Sequence, residues 1–404
     1  MIAPHIKEAI NSKSAGVIRK MFEEGMILRQ KYGAENVFDF SIGNPDLEPP
    51  VEVIEAIKEV AFSTEKGRHG YMPNAGYQST RKAMADKVSL EQAVTLGWEN
   101  IVMSVGAASA LNAIFKAILS VNDEVIVPSP FFAEYTNYVK NYSGILVTVP
   151  TKKTDFSLDI ASIKSALSEK TAAVLINSPN NPTGKIYSEE EIIELTDILK
   201  EHGKKYSRMP YLICDEPYRA IAYDGKKVSP VFPHYDNAII ASSFAKNLSL
   251  PGERMGYIAV NPSCEDAKEF IAAVIFTTRV LGYVNAPAFF QRVVEKSWNA
   301  KVDYSSYENR CRQISKIVGD AGIEYTKPEG AFYLWCKVPA KINQSLNTIG
   351  DDFEFTEHLK KYNILAAPGT GFGCSGYFRI AYCVAESTIL ASANAFKQAM
   401  KSWK

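Results

Sequence analysis

Short runs of branched apolar residues recur along the middle of the chain, divided by stretches of helical period. The runs are NIVMSV (100–105), DEVIVP (123–128), GILVTVP (144–150), TAAVLIN (171–177), PYLICD (210–215), NAIIASS (237–243) and MGYIAV (255–260). Near-continuous apolar strands of this kind suit a sheet covered on both faces, which is the parallel kind. The spacers supply the helices. Leu111, Ile114, Phe115, Ile118 and Leu119 share one helical face, and Ser188 with Glu191 has the spacing of a capping box. The pattern predicts an α/β fold with a seven-stranded, mainly parallel sheet flanked by helices. Only FAKNLSLPGER separates the last run from its predecessor. That link is too short for a helical crossover, so the last strand is expected to run antiparallel.

After residue 287 the texture changes. A long polar helix pattern over roughly 288–319 is followed by strand-like AFYLWCKVP, NILAAPG and YFRIAYCV, and a terminal helix pattern closes the chain. These features predict a smaller α/β domain over 288–404, joined by an N-terminal segment, 1–45, and a large domain over 46–287. Neither low-complexity segments nor solenoid repeats interrupt the chain.

Composition narrows the classes. Among 404 residues, 46% are hydrophobic and 22% charged, with Lys plus Arg equal to Asp plus Glu at 45 each. That is an ordinary balance for a globular chain with a large core. Zero net charge points away from nucleic acid and anionic membranes as partners. No apolar run approaches the ~20 residues of a membrane span, and the N-terminal residues lack the apolar stretch of a leader. The six cysteines show no C-x-x-C spacing, which predicts reduced thiols and a cytoplasmic setting. The five histidines are scattered, so no metal site is expected.

Ligands of open α/β sheets sit at the carboxyl ends of the strands, and four ends here carry unusual residues. SVGAASALNAIF places Gly106, Ala107 and Ala108 at a strand-to-helix turn; such a turn packs closely and also leaves helix-start N–H groups open to an anion. INSPNNPTG carries Asn181, ICDEPYRA carries Asp215 and Tyr218, and SSFAKNLSLPGERMGY carries Ser243, Lys246 and Arg254. Each has an ordinary reading as a turn or cap. Together they offer an anion cup, an amide, a carboxylate, a phenol and an amine. An aldehyde cofactor with a phosphate handle and a basic ring nitrogen uses this set: pyridoxal 5′-phosphate.

With YMPNAGY, NNPTG, DEPY, SFAKNLSLPGERMGY and GYFRIAYC in this order, the chain resembles class I aminotransferases of the aspartate aminotransferase type, fold-type I pyridoxal-phosphate enzymes. The resemblance spans nearly the whole length. It implies that Lys246 carries the cofactor as a Schiff base and later moves the substrate α-proton. Asp215 faces the ring nitrogen, while Tyr218 and Asn181 reach the ring oxygen. Ser243, Arg254, Gly106 and the backbone at Ala107 and Ala108 hold the phosphate. Phe132 stacks on the ring, and Tyr71 reaches the phosphate of a neighbouring subunit, which implies a homodimer with shared sites. Arg379 grips the substrate α-carboxylate as a two-point fork, and Gly43 lines the substrate pocket. It also implies cis peptides before Pro130 and Pro182. A second arginine in this family reads a distal carboxylate from across the subunit boundary. TTRVLGYVNAP offers Arg279, with Asn285 six residues on where the family has five. The expected substrates are therefore aspartate and 2-oxoglutarate, in a ping-pong cycle.

Other readings are open. Aromatic or alanine donors fit the same core motifs. Carbon–sulfur β-lyases share the fold but typically carry Asp-Glu-Ile-His where Asp215-Glu216-Pro217-Tyr218 stands here. GFGCSG (371–376) matches a dinucleotide fingerprint, yet strand-like YFRIAYCV follows it where a helix should open. A ligand-sensing regulator would need a DNA-binding domain, and the segment before residue 45 is short and weakly charged for one.

Overall fold

The computed structural model describes residues 2–11, 17–341 and 350–403. A two-residue strand, β1 (Phe38–Asp39), precedes the large sheet. The sheet consists of β2 (Ile101–Ser104), β3 (Glu124–Ser129), β4 (Ile145–Pro150), β5 (Thr171–Asn177), β6 (Tyr211–Asp215), β7 (Ala238–Ser243) and β8 (Gly256–Val260). Their order is β2-β8-β7-β6-β5-β3-β4. The pairs from β4 to β7 are parallel. β8 is antiparallel to both its neighbours, as its short link to β7 requires.

Strand alternation sorts the side chains into two apolar layers. Val174, Leu212 and Cys214 join one layer with Met84 and Val88. Val125, Leu175 and Ile213 join the other, with Leu111, Ile114 and Phe115 of the helix Gly106–Ile118. Truncating one such side chain to alanine costs about 2–5 kcal/mol. The helix Glu189–Tyr206 opens with the expected capping box of Ser188 and Glu191.

The helix expected over 288–319 is two helices, Ala288–Ser297 and Ser305–Asp320. The break has a local cause: the Asp303 carboxylate accepts the Ser305 N–H and starts the second helix. Packing changes hands there. Val293 and Val294 lie in the layer of Val53 and Met84, whereas Tyr307, Cys311 and Ile314 pack with later strands.

Those strands are β9 (Tyr325–Thr326), β10 (Tyr333–Lys337), β11 (Ile364–Leu365), β12 (Ala367–Pro368) and β13 (Tyr377–Ala381). Four form an antiparallel sheet in the order β12-β13-β10-β9. β11 pairs in parallel with β1, and Met21 packs against Trp335, Leu365 and Phe372. The early segment is thereby tied to the C-terminal strands. GFGCSG forms a short 3₁₀ turn and then enters β13.

The two sheets meet over the carboxyl ends of β5 and β6. Gly184 O accepts the N–H groups of Glu329 and Gly330, and Ala331 N–H donates to Ile221 O. Gly184 has φ +72°, and a Cβ there would lie 2.7 Å from Pro328. The peptides before Pro130 and Pro182 are cis, as is that before Pro179. Among the described residues no helix is long and apolar enough to cross a membrane, and no cluster of His, Cys, Asp or Glu could hold a metal ion.

Candidate active site

The carboxyl ends of β5, β6 and β7 and the start of the helix Gly106–Ile118 converge on one place. Asp215 is the last residue of β6. Ile213, two positions earlier, faces the layer beneath this helix, and the period of two sends Asp215 the same way. Its Oδ2 accepts the Tyr135 hydroxyl at 2.5 Å. Its Oδ1 is buried without a partner. Desolvation pushes the carboxyl up to about 7, opposed by the Tyr135 hydrogen bond and reinforced by neighbouring Glu216. A buried, unpaired carboxylate oxygen calls for a cationic donor.

Lys246 stands three residues past the end of β7. Its ammonium donates to Gly43 O at 2.6 Å and lies 5.5 Å from the centre of the Phe332 ring. Burial lowers its pKa to about 8, against a partial offset from Cys383 and with help from Arg379 and Arg254. An amine so poised exchanges protons near neutrality.

A continuous chain of contacts joins the rest. Asn177 donates to Asp215 O at 2.7 Å and accepts the Asn181 N–H at 2.6 Å. Asn181 Oδ1 accepts from Arg379 Nη1 at 2.8 Å, and Arg379 Nη2 donates to Ser41 O at 2.7 Å. Arg379 Nε is buried and unpaired. The guanidinium lies 4.4 Å over the Tyr333 ring, and the Tyr333 hydroxyl is 2.6 Å from that of Tyr218. Phe132 meets Tyr135 edge-on, ring centres 5.5 Å apart.

On the other side, Gly106 opens its helix at φ +77°, and a Cβ there would lie 2.9 Å from Arg254 Nη2. The helix has no side-chain cap, so its first N–H groups, at half-buried Ala107 and Ala108, are free for an anion. Arg254 itself holds a left-handed backbone, φ 55°, which costs about 1–2 kcal/mol and brings its guanidinium to the helix start. Ser243 pairs with Gly256 across the β7–β8 register. Gly256 admits no side chain, since a Cβ would lie 2.7 Å from Gly106 backbone.

Twelve of the fourteen residues singled out from sequence belong to these converging segments. Tyr71, 94% exposed, and Arg279, exposed at the end of the helix Ala267–Val280 and stacked on Phe276 at 5.6 Å, face outward in the single chain. Sequence reasoning passed over Tyr135, Tyr333, Asn177 and Cys383. Tyr135 opens the helix Tyr135–Lys140 beyond β3, an end that carried no unusual residue in the sequence pattern. Cys383, its thiol pushed up to about 12 by burial, had no signal.

The arrangement has an amine for a carbonyl, a free carboxylate oxygen for a protonated ring nitrogen, phenol and amide groups between them, and an anion cup. These residues fit pyridoxal phosphate. The family model for aminotransferases of class I and II matches residues 35–396. The chain belongs to that family, whose members depend on pyridoxal phosphate, and it is an aminotransferase.

Its relatives are named for more than one amino donor. It is 32% identical to a probable aspartate/prephenate aminotransferase of Aquifex aeolicus, over 91% of each chain. It is 28% identical to aromatic-amino-acid aminotransferase 2 of Thermococcus litoralis, over 96% of each. A solved amino transferase of Eubacterium rectale superposes with a TM-score of 0.93 at 36% identity, covering 100% of this chain and 99% of that one.

Proposed function

We propose that this aminotransferase binds pyridoxal 5′-phosphate at Lys246 and moves an amino group from aspartate to 2-oxoglutarate in two half-reactions at one site. The observation that carries the reading is a pair of unspent polar atoms, Asp215 Oδ1 and Arg379 Nε, both buried and without partners. One suits a ring N–H and the other a substrate carboxylate. When bound, the cofactor supplies an electron-withdrawing ring that stabilises negative charge at the substrate α-carbon.

The chain's own groups do the rest. Asp215 holds the ring-nitrogen proton in place. Tyr218 and Asn181 donate to the ring oxygen, and Phe132 covers the ring. Ser243, Arg254 and the N–H groups at Gly106, Ala107 and Ala108 hold the phosphate. Arg379 and Asn181 fix the α-carboxylate. Gly43 O, which now holds the Lys246 amine, would release it, and the free amine would take up the substrate α-proton. Its pKa near 8 suits a base at neutral pH.

Tyr71 and Arg279 act in this reading across a homodimer boundary, Tyr71 on phosphate and Arg279 on the distal carboxylate. Both are exposed in the single chain, which leaves them available to a second copy. Six unpaired cysteines fit a cytoplasmic setting. The division into 1–45 with 288–404 and 46–287 belongs to the same proposal.

A screen of amino donors tests it, following the absorbance of the bound cofactor. Aspartate should react fastest. Arg279→Leu should lower kcat/KM for aspartate about 10- to 10³-fold while sparing alanine and phenylalanine. Equal losses would remove Arg279 from the site, and a wild-type preference for phenylalanine would move the assignment to an aromatic donor.

A further inference from the structure

Tyr333 has no task in the reading above, yet it touches three of its working parts. It is buried at the start of β10. Its hydroxyl lies 2.6 Å from that of Tyr218. Its ring carries the Arg379 guanidinium at 4.4 Å. Its hydroxyl also fills the space that Gly43 leaves, where a Cβ would lie 2.0 Å away, and Gly43 O receives the Lys246 ammonium.

Two phenols in one hydrogen bond have one donor between them. A negatively charged oxygen placed before Tyr218 takes the Tyr218 proton as its donor. Tyr333 must then donate to Tyr218. It is suited to that part. The cation over its ring favours negative charge on its oxygen and works against the upward push of burial, which leaves its phenol at about 12, while Tyr218 is pushed well above its ordinary value. Serial hydrogen bonds polarise one another in a dry interior. The charged and titratable groups around the pair are Lys246 past β7, Arg379 on β13 and Cys383 just beyond it, with the Asp215–Tyr135 pair on the far side.

We propose that Tyr333 is a positioning residue of the transamination site, donating to Tyr218 and so linking the carboxylate-binding Arg379 to the donor at the reacting end. The inference rests on the cofactor reading above. Its test is the pH titration of the visible band that the protein acquires with pyridoxal phosphate. Tyr333→Phe keeps the ring under Arg379 and removes only the hydroxyl. The midpoint of the band should rise by about half a unit to one unit, because the acceptor oxygen loses part of its support. kcat should fall about 2- to 10-fold with KM for the amino donor within about twofold. In a Tyr218→Phe background the same substitution should no longer move the midpoint. An unchanged midpoint in Tyr333→Phe, or an equal shift in both backgrounds, overturns the relay. A wild-type protein that gains no band with pyridoxal phosphate instead defeats the cofactor reading.

Discussion

Asp215 and Glu216 are neighbours at the end of β6, and they open onto two different interiors. Glu216 follows Cys214 to the layer of the helix Gln78–Gln92. There its two oxygens each accept from Arg219 Nη1 at 2.9 Å. Arg219 Nη2 donates onward to Glu91 O at 2.6 Å and Val228 O at 2.9 Å, and Lys87 pairs with the Glu91 carboxylate. Two acids and two bases close on themselves. Asp215 faces the other way, where its Oδ1 and the Arg379 Nε have no partner and Lys246 sits with its pKa lowered to about 8. Both regions are buried and charged. Burial and charge therefore do not mark a working site; here the difference is that the charged groups of one region are paired with each other and those of the other keep unpaired atoms beside a lysine of lowered pKa.

The comparison predicts opposite costs for removing a base from each side. Lys246→Ala should lower turnover by at least ~10²–10⁴-fold, the usual worth of a general base. Stability should move the other way in cofactor-free protein. The folded pKa near 8 lies below the ordinary 10.5, so the folded state binds fewer protons between these values and Lys246 penalises folding most below about pH 8. The alanine variant should be more stable than wild type in urea at pH 7, and the gain should shrink as pH rises toward 10.5. A variant that loses stability at pH 7 would place Lys246 with the closed cluster.

Arg219→Leu should do the converse. It leaves Glu216 buried beside Glu91 without its cation, a change worth about 3–5 kcal/mol of stability. The urea midpoint should fall accordingly, while the fraction that stays folded keeps a titratable Asp215 and a reactive Lys246. A wild-type midpoint would mean that water replaces the guanidinium and that the cluster is less closed than its bonds imply.

The same contrast explains what could be read from sequence. The seven strands were legible because a sheet covered on both faces leaves nearly unbroken apolar runs, and the antiparallel β8 because its link is short. Lys246, Asp215, Asn181 and Gly106 were legible because strand ends are where such a fold binds ligands. The break at 298–304 was not, since Trp298 and Val302 carry the apolar period through it, and the second helix is started afresh by one Asp303 contact. Tyr135 and Tyr333 escaped for a different reason. A phenol takes its role from its partner, and these partners stand 80 and 115 residues away. Arg279 and Tyr71 face outward in the single chain, and for a partner of theirs the sequence carries only the resemblance.

The smallest effect concerns the one bond that Asp215 has completed. Tyr135 donates to Oδ2 at 2.5 Å, and that bond holds the carboxyl down against desolvation, at about 7. Tyr135→Phe removes the donor and little else, so the carboxyl pKa should rise further. A raised folded value favours the neutral acid, which cannot pair with a protonated ring nitrogen. Cofactor binding would then require Asp215 to lose its proton first, at a cost that grows as pH falls below the new pKa. Dissociation constants for pyridoxal phosphate, measured from pH 6 to 9, should be about 3- to 30-fold weaker in the variant near pH 6.5, with the difference narrowing toward pH 9. A uniform weakening across that range would assign Tyr135 to shaping the pocket around Phe132 and leave the Asp215 charge to other groups.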